Sequence, residues 1–163
     1  MIDTETRALA ERVLDACRAR GWKIATAESC TGGLVAGALT EIAGSSDVVD
    51  RGFVTYSNAA KMAMLGVPEA TLAAHGAVSR QTAEAMAQGA LARSGVDLTV
   101  SITGVAGPGG GSAEKPVGLV HFAAAAKDGR LLQREKRYGD VGRSEVRRLS
   151  VLEALNMLLE LAS

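Results

Sequence analysis

The sequence predicts an α/β fold in which helices cover both faces of a five-stranded mixed sheet. Three observations lead there: short strand-like runs alternate with helical periods through the first hundred residues, a glycine-rich stretch separates the third and fourth strands with no room for a crossover helix, and Asp128-Gly129 sits between the last two. A chain of 163 residues can bury one two-faced core, so a single domain over residues 1–163 is expected.

Residues 4–20 place Ala8, Leu9, Val13, Leu14 and Cys17 at helical spacing, with Thr4 and Arg7 at the margins, and Gly21 is a natural stop. "KIATAE" follows as a short strand, then "TGGLVAGALTEIAG" as a small-residue helix ending at Gly44, then "VVDRGFVTYS" as the second strand. A helix from about Asn58 carries Lys61, Ala63 and Leu65 until Pro68 breaks it, and a longer one runs from Ser79 to about Ser94. "DLTVSIT", residues 97–103, is the third strand. Because the glycine-rich stretch from Gly104 to Pro116 leads directly into "VGLVHFAAAA", strand four is antiparallel to strand three. Asp128-Gly129 is a tight hairpin, so "RLLQREKRY" is antiparallel in turn. A final helix over about 143–161 stacks Val146, Leu149, Leu152, Leu155, Leu158 and Leu159.

Composition removes several classes of protein. With 18 basic and 18 acidic residues and no net charge, the chain has no global field to gather nucleic acid or an anionic membrane. The longest apolar run, Val120 to Ala126, is broken by His121 and too short to cross a bilayer. The first twenty residues are charged throughout and lack the apolar centre of a secretory signal, so a cytoplasmic location is expected. Cys17 and Cys30 make neither a disulfide framework nor zinc spacing, and no structural metal is expected.

In "ATAESCTGGLVAG", Ser29 lies where a strand ends and a helix begins. Its hydroxyl is placed for a nucleophile beside backbone N–H groups that serve as an oxyanion hole, or else Ser29 or Thr31 simply caps the helix. Cys30 is either a thiol nucleophile or a buried small residue. For a base, His121 lies inside an apolar strand and His75 in a loop, which leaves Lys61 one turn beyond Tyr56, on the same rim. A desolvated Lys61 loses its proton and can accept that of a serine; a solvated one is an ordinary surface lysine. "TGVAGPGGGSAEKP", from Thr103, follows strand three at the same sheet edge. Its Gly104, Gly107, Gly109 and Gly110 either let backbone N–H groups approach a phosphate or make a flexible connection. Neither a Walker loop nor GxGxxG is present. Arg143, ahead of the last helix, is an anion clamp or a solvated arginine.

Taken together, "TAESCTGGLV", "VTYSNAAKMAMLGV", "HGAVSRQTAEAMAQGA", "SITGVAGPGGGSAEKPVGLV" and "GRSEVRRLSVLEAL" resemble the C-terminal domain of the competence/damage-inducible CinA proteins, in order over about residues 22–156. The resemblance implies a three-layer α/β/α domain with Ser29 as nucleophile and Tyr56 and Lys61 as its activating partners. It implies hydrolysis of the carboxamide of nicotinamide mononucleotide to nicotinate mononucleotide and ammonia, within pyridine nucleotide salvage and without a cofactor. Its substrate contacts would come from Cys30, Thr31, Gly32, Gly33, Thr103, Gly104, Gly107, Gly109, Gly110 and Arg143. Family members often read Gly-Asp-Arg before the last helix, whereas this chain reads "GDVGRSE", with two residues inserted ahead of Arg143. The N-terminal domain of larger members, which resembles molybdopterin-binding proteins, has no counterpart here, so no pyrophosphatase activity is expected. The rival reading is a nucleotide-binding or regulatory module that holds the same ligand without chemistry. A homodimer through strand five or the last helix is the expected assembly.

Overall fold

The computed structural model describes residues 2–163. Its elements in chain order are α1 (Thr4–Arg20), β1 (Ile24–Glu28), α2 (Leu34–Thr40), β2 (Val49–Val54), α3 (Asn58–Leu65), α4 (Glu69–His75), α5 (Arg80–Ser94), β3 (Leu98–Gly104), β4 (Leu119–Ala126), β5 (Leu131–Arg137) and α6 (Arg143–Ala162). The strands form one mixed sheet in the order β2-β1-β3-β4-β5. β1 runs parallel to both β2 and β3, whereas β4 is antiparallel to β3 and to β5. The expected five-stranded mixed sheet therefore holds, with the reversals at strands four and five.

Side-chain alternation along the strands divides the core in two. Ile24, Leu98, Val100, Ile102, Val120 and Phe122 pack with Leu14, Val35, Leu39, Leu155 and Leu158 from α1, α2 and α6. On the opposite face Ala27 meets Leu65 and Met86, and Ala123 and Ala125 meet Ala83 and Ala87. Small residues on that face let α5 lie close. Thr99, Ser101 and Thr103 of β3 donate their hydroxyls to the carbonyls of Ala87, Ala83 and Ala77 at 2.8, 2.5 and 2.8 Å, so the buried polar groups are satisfied. α3 is held equally tightly, because a Cβ on Gly89 of α5 would stand 2.0 Å from the Leu65 carbonyl oxygen.

α2 leaves the β1 edge on one face, while the α3–α5 connection returns to β3 on the other. The carboxyl end of β1 is consequently the point at which the strand order reverses, where open α/β sheets bind ligands.

Four expectations are corrected. The helix expected over 31–44 is confined to Leu34–Thr40, because Gly32 and Gly33 take φ of 58° and 105° and shape the turn before it. Pro68, read only as a stop, also opens α4 as its N-cap, and His75 is the last residue of that helix rather than part of a loop. On α1, Ala8 is exposed and Thr6 and Ala10 are buried instead. The α6 face is broader than the leucine stripe: Leu149 and Leu159 are half-buried, while Ser150, Val151, Ala154, Met157 and Leu161 are buried. That face packs on the chain's own sheet and α1, and β5 remains an open edge.

Candidate active site

Ser29 follows β1 directly, and its N–H donates to the Ile102 carbonyl of β3 at 2.9 Å, so the turn stays tied to the sheet edge. The two alternatives for its hydroxyl are decided by the cap of α2. Neither Ser29 nor Thr31 caps that helix; the Glu28 carboxylate does. It accepts from the N–H groups of Val35 and Ala36 at 2.9 and 3.0 Å and from the Thr31 hydroxyl at 2.6 Å. Glu28 is only 1 % exposed, and a carboxylate at a helix N-terminus with all these donors is well compensated. The Ser29 hydroxyl, 8 % exposed, is left free for another partner.

That partner is Lys61. Its Nζ lies 3.0 Å from Ser29 Oγ, 2.8 Å from the Thr55 carbonyl and 3.4 Å from the Tyr56 carbonyl. Lys61 is 1 % exposed and is not a surface lysine. Burial pulls its pKa below the usual 10.5, because the charged ammonium loses its water. A neutral amine has two N–H groups and one lone pair. Nζ donates to the two carbonyls and to Ser29 Oγ; once the amine gives up a proton, its lone pair is the group left to face the serine hydroxyl.

The loop after β3 closes the other side. Ser29, Cys30, Tyr56, Lys61, Thr103 and Arg143 border a cleft of about 190 Å³, completed by Ala77, Val78, Gly104 and Ala106. A cleft below the roughly 300–1,000 Å³ of sites that enclose drug-sized ligands surrounds one end of a ligand and leaves the rest at its open rim. Larger clefts lie elsewhere, but their linings, Ile2 to Val151 beside α1 and Ala70 to Gln88 beside α5 among them, hold no serine bonded to a base.

The remaining sequence-derived site residues divide. Tyr56 borders the cleft but is 62 % exposed, and its hydroxyl accepts from Arg143 at 3.0 Å instead of contacting Ser29 or Lys61. Arg143, the first residue of α6, also donates to the Gly107 carbonyl at 2.8 Å, so the two inserted residues do not take it away from the site. Gly107 thus contributes a carbonyl that holds an arginine. Gly104 borders the cleft, and a Cβ there would meet the Leu119 carbonyl oxygen at 2.7 Å; that position needs glycine to approach β4. Gly109 and Gly110 are exposed and, like Thr31, Gly32 and Gly33, do not border the cleft. His121 lies buried in β4, where burial lowers its pKa, and His75 is exposed on α4; neither borders the cleft.

Four participants escaped the sequence reading. Glu28 stands inside the ESCTGG block, Ala77 and Val78 are apolar loop residues, and Arg147 lies one turn beyond Arg143 on the same face of α6. The i, i+4 arginine spacing was the available pointer to Arg147. Neither arginine pairs with a carboxylate among the described residues.

Cys30 is a poor nucleophile. Burial pushes its thiol up to about 12 and that of Cys17 up to about 11, so both stay protonated at neutral pH. A thiol titration with an aromatic disulfide at pH 8 is expected to find essentially no reactive cysteine in the folded protein and both after unfolding. Fast modification of folded Cys30 would restore it as a candidate.

Fold and site together define an open-sheet α/β protein whose ligand cleft lies at the carboxyl ends of its parallel strands, with a serine and a desolvated lysine at the centre. A family model described as the CinA C-terminal domain matches residues 6–162, and the chain belongs to that family. It is 54 % identical over 159 residues to the nicotinamide-nucleotide amidohydrolase PncC of Escherichia coli strain K12, an alignment spanning 97 % of this chain and 95 % of that protein. The protein of the same name from Enterobacter agglomerans is 58 % identical over 123 residues, covering 76 % of this chain and 75 % of its own length. The crystal structure of competence/damage inducible protein CihA from Agrobacterium tumefaciens superposes with a TM-score of 0.98 at 58 % identity, over 100 % of this chain and 99 % of that one. No helix among the described residues is long and apolar enough to cross a membrane.

Proposed function

We propose that residues 1–163 act as a single amidohydrolase domain that converts nicotinamide mononucleotide and water to nicotinate mononucleotide and ammonia, with Ser29 as nucleophile. The observation that carries this reading is the 3.0 Å contact between Ser29 Oγ and the buried Lys61 amine, whose pKa burial lowers, together with the amidohydrolase names of relatives that align over nearly the whole chain.

Ser29 Oγ attacks the carboxamide carbon while its proton passes to Lys61 Nζ. The oxyanion that forms is met by the N–H of Cys30, which borders the cleft, and by that of Thr31, the next residue of the turn; neither has an acceptor among the described residues. Collapse breaks the C–N bond, Lys61 returns the proton to the leaving nitrogen, and ammonia departs. Water, deprotonated by the same amine, then opens the acyl-serine ester and releases the carboxylate product. Tyr56, held by Arg143 at the rim, acts on the entering ligand and orders the approach to Ser29. The cytoplasm, where both thiols remain reduced, is the compartment that suits this chemistry.

Arg143 leaves the rim with a guanidinium that pairs with no carboxylate among the described residues, which suits a terminal phosphate. An ammonia-release assay on the mononucleotide, the riboside and the dinucleotide at one ionic strength tests the reading. kcat/KM is expected to fall a hundred-fold or more on loss of the phosphate, and Arg143→Met to erase most of that preference, since charge-assisted contacts are roughly twice as strong as neutral ones. Thermal stabilisation by the mononucleotide without ammonia release would instead identify a nucleotide-binding module.

A further inference from the structure

We propose that Arg147 is a positioning residue that aims the two oxyanion-binding N–H groups of the nucleophile turn. The proposal rests on reading the site as a serine amidohydrolase, and its basis is the pairing of each peptide in that turn. Arg147 Nε donates to the Cys30 carbonyl at 3.1 Å and its NH2 to the Thr31 carbonyl at 3.4 Å.

A trans peptide is planar with its N–H and C=O pointing in opposite directions. The Cys30–Thr31 peptide is trans, so drawing the Cys30 carbonyl towards Arg147 turns the Thr31 N–H away from it. The second contact acts one peptide further on. Gly32 has a φ of 58° and no Cβ, so the Thr31–Gly32 peptide is the easiest in the turn to rotate. Its carbonyl accepts from the Leu34 N–H at 3.0 Å as well as from Arg147, and the Gly32 N–H at the other end donates to the Ser29 carbonyl at 3.0 Å. That bond in turn sets the Ser29–Cys30 peptide and the direction of the Cys30 N–H. The guanidinium thereby fixes the Thr31 N–H directly and joins the Leu34 N–H in holding the peptide that sets the Cys30 N–H.

The same contacts polarise the peptides. A cation on a carbonyl oxygen draws electron density from the amide and strengthens its N–H as a donor. Arg147 makes no ion pair with a carboxylate among the described residues, so its charge is not neutralised locally. It is half-buried and sits on α6, which is anchored in the core by Val146 and Ser150 on either side of it. Lysine cannot replace it fully, because an ammonium lacks the planar fork that spans two carbonyls.

The test measures kcat and KM for ammonia release from nicotinamide mononucleotide, with melting temperatures, in wild type, Arg147→Met, Arg147→Lys and Ser29→Ala. Arg147→Met is expected to lower kcat about 10- to 100-fold, less than the roughly 10²–10³ lost when an oxyanion donor itself is removed, with KM within about three-fold. Arg147→Lys recovers part of kcat, and both variants melt within a few degrees of wild type. A raised KM at unchanged kcat would make Arg147 a substrate contact and overturn the proposal. Equal losses in both variants with a large drop in melting temperature would overturn it as well, by reducing Arg147 to a structural clamp. Wild-type kcat in Arg147→Met, with Ser29→Ala inactive, removes the proposal and leaves the amidohydrolase reading standing. A wild type that releases no ammonia removes both.

Discussion

Ser29→Ala is expected to lower ammonia release from nicotinamide mononucleotide by three orders of magnitude or more, the scale of nucleophile loss in other serine enzymes, while the protein stays folded. The fold survives because the substitution deletes one hydroxyl at the end of β1 and no part of either apolar layer. Lys61 keeps its contacts to the Thr55 and Tyr56 carbonyls, so the amine is not orphaned. A hydrogen bond contributes about 1 kcal/mol net, and that corresponds to a melting shift of roughly 2–4 °C in a protein of this size. Turnover and a thermal melt on the same preparation check both halves. A variant with more than a tenth of wild-type activity has lost under about 1.4 kcal/mol of transition-state stabilisation, and Ser29 would then no longer stand as the nucleophile.

Lys61→Met carries the second largest effect and a pH signature. Methionine has similar length and no titrating group, so turnover should fall by at least two orders of magnitude, within the 10²–10⁴ supplied by a general base, and KM should stay within a few-fold. A large rise in KM with intact turnover would make Lys61 a phosphate contact instead. In wild type the neutral amine is the active form, so kcat/KM should rise with pH through the lowered Lys61 pKa and level off before 10.5. The charge of Cys30 is the one influence that opposes the lowering, and it is absent while that thiol remains protonated. Stability follows the same sign. Between the lowered pKa and 10.5 the unfolded chain binds more protons than the folded one, so stability rises with pH across that window. Below it, the buried ammonium is a standing cost. Melting temperatures of wild type and Lys61→Met as a function of pH should therefore converge as pH increases through this range, and parallel curves would show that Lys61 is not desolvated.

The amino-acid sequence by itself determined the directions of strands four and five, because those depend on local features: the absence of a crossover between Gly104 and Pro116, and the Asp128-Gly129 hairpin. It also marked Ser29, Lys61, Tyr56 and Arg143, which share one cleft. Helix limits were less legible. α2 begins only at Leu34 because two glycines take left-handed backbone, and α4 is too short to show a period.

Tertiary structure alone decided what each of these groups does. Whether Ser29 caps a helix depends on a competing cap, and Glu28 reaches Val35 and Ala36 only once α2 has folded back over β1. The Lys61 pKa is lowered only where α3, pressed against α5 at Gly89, holds the amine away from water beside two carbonyls. Arg147 lies 117 residues from Cys30 in the chain, yet its guanidinium sits on that residue's carbonyl. Local backbone preferences are carried by neighbouring residues and can be read in a line of letters. Desolvation and the aim of a hydrogen bond are set by atoms far away in sequence, and they exist only after the layers have closed.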